Sequence, residues 1–395
     1  MGKKIAIIFN GNVQDRKGYV NAVLERAKRL YAQGEYSVDV FCISQYDHWL
    51  VRQLRHSERV IRQAKVVVDG MLINMIWYPF SLIDYFLSVK LRTKKLIEPL
   101  LTKRILHCFE GYDLIIAHST TSGVIALNVK NKYRIPYTIT WHGSDIHTEP
   151  FINHSYKQLV IKVIESAAVN MFVSQKLRDT AQQIYPNIVD SYVSYNGASD
   201  IFYKYGDEEK CHIREQYRLT REDKVVGFVG GLVPIKNVDI LPEIFNKINE
   251  VCPSVKFWII GDGKLRKNIE FKLQEKYPMI NCTMFGNQSV KVMPDIMNCL
   301  DLLLLPSQNE GLPLVIVEAL RCATNVVAAD VGGIKEVIGD KNAIDHGDGF
   351  IERFAQRCTE ILINNESCPK LPEQFDWDIT VKNELMLYKS ILQIQ

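Results

Sequence analysis

The sequence lacks the marks of a secreted, disulfide-bonded or membrane-spanning protein. Its nine cysteines are scattered and include no Cys-x-x-Cys pair, which argues against a disulfide framework or a zinc site. The apolar stretch that follows Lys3 and Lys4 is too short for a secretory signal. The apolar run 71–80 is too short to span a bilayer. These absences predict a cytoplasmic protein with reduced thiols.

Short repeats and low-complexity segments are also absent, which argues against a solenoid or a disordered chain. With 47% hydrophobic and 24% charged residues, the composition is that of an ordinary globular protein. The 395 residues exceed what one ordinary core needs, so the length predicts two domains.

The net charge of +3 conceals a basic segment between residues 51 and 104. Eleven Lys and Arg residues face four acidic ones there, and the segment holds the apolar, aromatic run 71–80 followed by Tyr85 and Phe86. A basic amphipathic surface beside aromatics suits the inner face of a membrane or an anionic acceptor. The alternative is a helix with a solvated basic face that packs on its own core. We expect no nucleic-acid partner.

Short β-branched segments alternate with longer helical patterns, which is typical of βαβ units and a parallel sheet. The strands predicted in the first half are 5–9, 37–43, 114–118, 137–141 and 170–174. Those predicted in the second half are 225–229, 256–261, 281–285, 302–306 and 325–329. The helices predicted between and after them include 19–33, 238–251, 264–276, 290–299, 313–322 and 381–392. This restart predicts an α/β fold with two Rossmann-like domains, joined in the polar stretch 196–224.

The segment 301–320 carries the most chemistry. An apolar strand ends at Pro306, a polar turn carries Glu310, and Pro313 suits the first turn of a helix. Ligands of open α/β sheets bind beyond the carboxyl ends of strands. The free backbone N–H groups of Leu314 and Val315 would attract an anion such as a diphosphate.

Two carboxylates in this segment need partners. Glu318 lies inside an apolar stretch of the helix, where a ribose diol would satisfy it. Glu310, in the turn, could hold sugar hydroxyls or face positive charge at an anomeric carbon. Alternatively, Glu310 is an ordinary carboxylate at a helix N-terminus and Glu318 is the buried partner of an arginine.

Four glycine turns follow strands in the second half. Gly230-Gly231 is followed by Lys236, which could neutralise a phosphate. The turn 261–263 precedes Arg266, and the turn 285–287 could hydrogen-bond a base. The turn 331–333 is interpreted as structural.

The first half offers a loop and two histidines. A loop runs from Asn10 to Gly18 after the first strand, and His118 and His142 each follow an apolar strand. Histidines at strand ends are candidates for acid–base work or for orienting hydroxyls. Asp145 lies close behind His142.

Together these motifs resemble the retaining glycosyltransferases of family 4, which have the GT-B fold of two Rossmann-like domains facing across a cleft. The resemblance covers nearly the whole chain, and its most specific part is the run Pro-Ser-x-x-Glu-Gly-x-Pro at 306–313, with Glu318 completing a Glu-x7-Glu pattern. The resemblance implies that residues 1–200 and the helix 376–395 form an acceptor-side domain. Residues 201–375 would then form the domain that binds the nucleotide sugar.

The resemblance also implies roles for individual residues, with no metal and no cofactor beyond the nucleoside diphosphate sugar. Glu310 would contact the donor sugar, Glu318 the ribose and Lys236 the diphosphate, while His118 would orient the reacting sugar. The catalytic residues that we expect are His118 and Glu310. The donor-binding residues that we expect are Gly18, Lys236, Gly230, Gly231, Gly261, Gly263, Arg266, Phe285, Gly286, Gly311, Leu312, Pro313, Leu314, Val315 and Glu318. His142 and Asp145 are expected on the acceptor side.

One position departs from the pattern of the family. Many members carry Arg where this chain has Gly231, so one phosphate cation is missing. Arg266, Arg16 or Lys17 are the candidates to replace it.

Three functions fit these features. The first is transfer of a sugar from a nucleoside diphosphate sugar to a glycan or lipid-linked acceptor, as in surface polysaccharide synthesis at the inner face of the cell membrane. The second is non-catalytic binding of a nucleotide sugar or glycan on the same fold. The third is another GT-B enzyme, such as a sugar-nucleotide epimerase. The base, the sugar, the acceptor and the linkage are not encoded in readable motifs.

Overall fold

The computed structural model describes residues 2–13, 18–57, 59–89 and 104–393. Arg16 and Lys17, proposed above as phosphate cations, lie outside the described residues. So do all five cations between 90 and 103 in the basic segment. The chain divides into two compact units, of which one comprises Met1–Ser194 with Trp377–Gln395 and the other Tyr195–Asp376.

The described part of the first unit contains an eight-stranded sheet with the order β3-β4-β2-β1-β5-β6-β7-β8. Its strands are β1 (Lys4–Asn10), β2 (Ser37–Asp47), β3 (Lys65–Val68), β4 (Met71–Phe80), β5 (Leu114–His118), β6 (Tyr137–Trp141), β7 (Val169–Phe172) and β8 (Ser191–Val193). Strands β4 to β8 of this order pair in parallel, and β3 pairs with β4 in antiparallel orientation. The centre of β1 and all of β5 are buried, as expected for parallel strands covered on both faces.

Helices flank this sheet and include the end of the chain. They are Gly18–Ala32, Trp49–Arg55, Leu82–Val89, Ser119–Tyr133, Ser144–His147, Glu149–Ile152, His154–Ser166, Gln175–Ile184 and Trp377–Gln393. The helix Gly18–Ala32 buries Val20, Val23, Leu24, Ala27 and Leu30 at helical spacing in the same core as Val381 and Leu385 of the last helix.

The run 71–80, for which no strand was predicted from the sequence, is the strand β4. It pairs with β2 on one side and with β3 on the other. Asp69 and Gly70 connect β3 to β4, and both have positive φ angles, as in the two-residue turns that join hairpin strands. The Asp-Gly pair between apolar segments was the sequence signal for this hairpin.

The described part of the second unit contains a six-stranded parallel sheet with the order β11-β10-β9-β12-β13-β14. Its strands are β9 (Val225–Val229), β10 (Lys256–Ile260), β11 (Cys282–Gly286), β12 (Leu302–Leu305), β13 (Asn325–Ala329) and β14 (Ala343–Ile344). Its α-helices are Asp207–Gln216, Leu241–Val251, Arg266–Phe271, Met293–Cys299, Leu314–Arg321, Ile334–Ile338 and Phe350–Asn364. All four residues of β12 are buried. The turn that follows β12 lies at the carboxyl edge of the sheet.

All nine cysteines are free thiols. None of the described helices combines the length and apolar character needed to cross a bilayer.

Candidate functional site

The first two glycine turns of the second unit pack against each other through their backbones. A Cβ at Gly261, whose φ is +129°, would lie 2.0 Å from the carbonyl oxygen of Gly230. A Cβ at Gly263 would lie 2.4 Å from the carbonyl oxygen of Leu232, whose N–H donates to the carbonyl of Asp262 over 2.9 Å. Glycine is therefore required at these positions by the contact between the turns.

The third turn joins the same edge. The N–H of Gly261 donates to the carbonyl oxygen of Gly286 over 2.8 Å. Phe285 packs against Trp258, with ring centroids 4.9 Å apart. These three turns bring the carboxyl ends of β9, β10 and β11 together.

Arg266, a candidate for the missing phosphate cation, is paired within its own unit. It is the first residue of its helix, and its Nε lies 2.8 Å from Oε1 of Glu270. Its Nη1 lies 3.5 Å from Oδ2 of Asp262. The side chain is 31% exposed, so binding an anion requires exchange of these partners.

Lys236 and Glu310 form the centre of the candidate site. Nζ of Lys236 lies 2.5 Å from Oε1 of Glu310. The same oxygen accepts a hydrogen bond from the hydroxyl of Ser307 over 2.7 Å. The Lys236 and Glu310 side chains are 23% and 11% exposed, and Ser307 is fully buried. The carboxylate of Glu310 is thus oriented by a cation and by a buried hydroxyl.

The fourth glycine turn fixes the backbone of Glu310. A Cβ at Gly332, whose φ is +57°, would lie 2.2 Å from the carbonyl oxygen of Glu310. The N–H of Gly333 donates to the carbonyl oxygen of Gly311 over 2.7 Å. This turn, interpreted from the sequence as structural, therefore supports the turn that carries Glu310.

The helix after this turn begins at Leu314, and Pro313 is the residue before it in an extended conformation. The side-chain amide of Asn196 donates to the carbonyl oxygen of Leu312 over 3.1 Å. The first N–H groups of the helix have no acceptor within an α-helix and form the positive end of its dipole. Glu318 lies half-buried on this helix.

The sequence analysis missed one residue at this edge. Nε2 of His346 lies 2.9 Å from the carbonyl oxygen of Ser307. His346 follows the two-residue strand β14, which is too short to show a strand pattern in the sequence. Only the fold brings it to β12.

The two histidines of the first unit are in contact. Nδ1 of His118 lies 3.1 Å from Nε2 of His142. The edge of the Tyr19 ring meets His142 with centroids 4.8 Å apart, and the Tyr19 hydroxyl donates to the carbonyl oxygen of His118 over 3.0 Å. The strand ends of β5 and β6 thus bring together the two imidazoles that the sequence singled out.

Burial sets the charge of this pair. It lowers the pKa of both His118 and His142 well below the usual range, and the guanidinium of Arg26 lowers both further. Arg26 and His118 line one small cavity, together with Glu384 and Tyr388. Both imidazoles are therefore neutral near pH 7, and one donates to the other.

Asp145 and Gly18 are the remaining candidate residues of the first unit. Oδ1 of Asp145 accepts from the N–H of Gly143 over 2.9 Å. Burial raises the pKa of Asp145 to about 6, although backbone N–H groups oppose the shift. Gly18 is the first residue of the helix Gly18–Ala32, and a Cβ there would meet nothing within 4 Å.

Comparison with known proteins identifies the family of the chain. The family model described as Glycosyltransferase Family 4 matches residues 17–199, and that described as Glycosyl transferases group 1 matches residues 209–375. The chain belongs to the family 4 glycosyltransferases. Each model matches one of the two halves that the sequence predicted.

Curated relatives are similar over part of their length. A protein of Bacillus subtilis named as a teichuronic acid biosynthesis glycosyltransferase, TuaC, is 30% identical over 228 residues, which is 58% of this chain and 55% of the relative. The uncharacterized glycosyltransferase MJ1178 of Methanocaldococcus jannaschii is 28% identical over 71% of this chain and 76% of its own.

Among solved structures, Anabaena Alr3699/HepE in complex with UDP and glucose has a TM-score of 0.73. It is 18% identical, with 98% of this chain and 100% of that chain covered. The α/β GT-B fold expected from the sequence is confirmed.

Proposed function

We propose that this protein transfers a sugar from a nucleoside diphosphate sugar to a glycan or lipid-linked acceptor. The acceptor belongs to surface polysaccharide synthesis, and the anomeric configuration is retained. The observation that carries the proposal is the convergence of Lys236 and Ser307 on one oxygen of Glu310 at the carboxyl edge of the second sheet. A fixed carboxylate beside a cation suits a ligand that has both hydroxyls and a diphosphate.

Each group has a role in this proposal. Lys236 exchanges Glu310 for the diphosphate, and the first N–H groups of the helix 314–321 add to the positive field. Glu310, released from Lys236, accepts hydrogen bonds from the donor sugar. The half-buried Glu318 accepts from the ribose diol. Lys236 and the helix dipole supply the charge that a metal supplies in other sites, so we propose transfer without a metal.

In the retaining reaction, the acceptor oxygen bonds to the anomeric carbon on the face from which the diphosphate leaves. The bond from that carbon to the diphosphate oxygen breaks, and the acceptor proton passes to this leaving oxygen. The positive charge that develops at the sugar lies within reach of the electrostatic field of Glu310.

Two comparisons support the substrates. The similar Anabaena protein is solved with UDP and glucose, which supports a nucleotide-sugar donor. The name of the Bacillus subtilis relative refers to teichuronic acid biosynthesis, which supports a surface polymer as the product.

The test is donor hydrolysis and transfer by the full chain across a panel of UDP, GDP and ADP sugars. Glu310→Gln should lower the turnover with the best donor by about a hundredfold, since it removes the charge that acts in the transition state. Lys236→Met should weaken nucleoside diphosphate binding by about tenfold or more, since it removes a charge-assisted contact.

The matched controls come from another Lys–Glu pair of the same unit. Nζ of Lys247 lies 3.0 Å from Oε1 of Glu352. Lys247→Met and Glu352→Gln should leave turnover and nucleotide affinity unchanged. A chain that binds nucleotide sugars but neither hydrolyses nor transfers them would be the non-catalytic binding protein. Release of an epimerised donor without an acceptor would identify an epimerase.

We further propose that the basic segment contacts anionic lipid. In its described part, Ile61, Ile83 and Phe86 are 79%, 68% and 55% exposed. Arg59, Arg62 and Lys65 are exposed near them in the sequence. Exposed apolar and basic side chains in one segment of the chain suit an anionic membrane surface.

Co-sedimentation with vesicles of phosphatidylglycerol and phosphatidylcholine tests this contact. Neutralising Arg59, Arg62 and Lys65 should reduce binding, and neutralising Lys90, Arg92, Lys94 and Lys95 should reduce it as well. The control replaces Lys264, Lys267 and Lys276 of the second unit by Gln. An equal loss of vesicle binding in the control would show that only the net charge of the protein matters. The proposal of a specific contact would then fail.

A further inference from the structure

A histidine just after β14 forms a hydrogen bond with a residue just after β12. Nε2 of His346 lies 2.9 Å from the carbonyl oxygen of Ser307. A carbonyl oxygen can only accept, so Nε2 of His346 carries the proton and donates. β13 lies between β12 and β14 in the sheet, so this hydrogen bond joins the segments that follow two strands that are not neighbours.

The ring of His346 contacts an aromatic side chain, and the backbone before and after it is hydrogen-bonded to Arg353. Its ring lies against Phe350, with centroids 4.3 Å apart and planes inclined by 34°. The carboxylate of the preceding residue, Asp345, accepts from Nη1 of Arg353 over 2.6 Å, and Nη2 of Arg353 donates to the Asp345 carbonyl oxygen over 2.9 Å. Arg353 also donates to the carbonyl of Asp348 over 3.2 Å, so the loop on either side of His346 is fixed.

Ser307 links this histidine to Glu310. Its backbone carbonyl accepts from His346, while its side-chain hydroxyl donates to Oε1 of Glu310 over 2.7 Å. Ser307 is fully buried. A shift of its backbone therefore carries its hydroxyl away from Glu310.

We infer that His346 is a positioning residue that holds the carboxylate of Glu310 through Ser307. The inference rests on the proposed function of Glu310 toward the donor sugar. Small displacements of a reacting or stabilising group lower the rate without removing ligand binding. The diphosphate is held by Lys236 and backbone groups, so loss of the His346 bond should affect the sugar and spare the nucleotide.

Two substitutions separate the hydrogen bond from packing. His346→Phe keeps a ring against Phe350 and removes the donor, and His346→Gln keeps a donor at a similar reach. With UDP-glucose as the probe, or the best donor of the panel, His346→Phe should lower kcat by about tenfold, as expected for loss of one hydrogen bond in the transition state. Its Kd for UDP should stay within about twofold of wild type. His346→Gln should recover most of kcat.

Two further variants serve as controls. His212→Phe replaces an exposed histidine of the same unit, and it should leave kcat unchanged. In a Ser307→Ala background, His346→Phe should add little further loss, because the hydroxyl that transmits the effect is gone. Unchanged kcat in His346→Phe, or a fully additive loss in the double variant, would overturn the inference. A parallel fall of UDP affinity and thermal midpoint would reduce His346 to a structural residue.

A readout independent of turnover separates this inference from the proposed function. The ¹⁵N shifts of the His346 ring should show the proton on Nε2, and a proton on Nδ1 alone would contradict the inference. The ratio of UDP-glucose affinity to UDP affinity should fall in His346→Phe. If the wild type neither hydrolyses nor transfers any donor, the proposed function fails while these two measurements still decide the role of His346.

Discussion

Arg26 and Glu384 form an ion pair that is almost completely buried. Nε of Arg26 lies 3.0 Å from Oε1 of Glu384, and both side chains are 4% exposed. The first residue belongs to the helix Gly18–Ala32 and the second to the helix Trp377–Gln393. Arg26 also donates to the carbonyl of Ser194 over 2.9 Å, and Tyr388 donates to Oε2 of Glu384 over 3.1 Å. This network fastens the last helix to the first unit.

Removal of one partner should release that helix. Glu384→Ala leaves the Arg26 charge buried without its counter-ion, which costs about 3–5 kcal/mol in comparable pairs. Hydrogen exchange in residues 377–393 should rise steeply, and the thermal midpoint should fall. Glu35→Ala, which breaks the exposed pair with Lys389 on the same last helix, is the control and should change neither. Equal exchange in both variants would contradict the prediction.

Gly332→Ala should disable the site through a backbone clash. Its Cβ would lie 2.2 Å from the carbonyl oxygen of Glu310, in addition to the strain of a positive φ. Gly339→Ala is the control for backbone strain, because its φ of +76° and ψ of 173° cost an alanine about 1–3 kcal/mol, while its Cβ would meet nothing within 4 Å. Donor affinity and turnover should fall in Gly332→Ala and hold in Gly339→Ala. Similar losses in both would assign the effect to strain alone.

Gly231→Arg should strengthen nucleoside diphosphate binding. Gly231 is exposed, and a Cβ there would meet only Val233 Cγ2, at 3.8 Å. The position therefore accepts a side chain, and an added guanidinium near the phosphate should raise affinity about tenfold at low salt. Gly231→Ala adds a Cβ without a charge, and it should leave the affinity for nucleoside diphosphate unchanged. Titration of UDP by calorimetry provides the measurement, and no gain with Arg would place the diphosphate elsewhere.

Acid should destabilise the first unit through His118 and His142. Burial depresses the pKa values of both histidines in the folded chain. Below about pH 6.5 the unfolded chain therefore binds protons at these histidines that the folded chain does not bind. Stability is then present above pH 6.5 and is lost as pH falls. Thermal midpoints between pH 7.5 and 5 should fall less in His118→Gln than in wild type.

Asp145 acts in the opposite direction. Burial raises its folded pKa to about 6, so the folded state binds its proton first as pH falls, and this proton stabilises the fold in acid. Asp145→Asn should therefore steepen the acid loss. A shallower loss would show that the shift has the other sign.

Prediction from the sequence succeeded where local pattern and burial coincide. β5, β6, β9 and β13 have the predicted bounds, because each is a short apolar run between polar turns. β8 and β14 were missed, since strands of three and two residues carry no period. β4 was missed because its apolar run was interpreted without its Asp-Gly turn.

The sequence by itself determined the α/β alternation and the family, because these follow from periodicity and from motif spacing. It also predicted the two halves and the residues that we propose carry the chemistry. Tertiary structure alone decided that Ser307 and Lys236 share one oxygen of Glu310, that His346 reaches Ser307, and that Arg26 pairs with Glu384. Lys236 and Glu310, His346 and Ser307, and Arg26 and Glu384 are each far apart in the chain, and no local pattern encodes a contact that only packing creates.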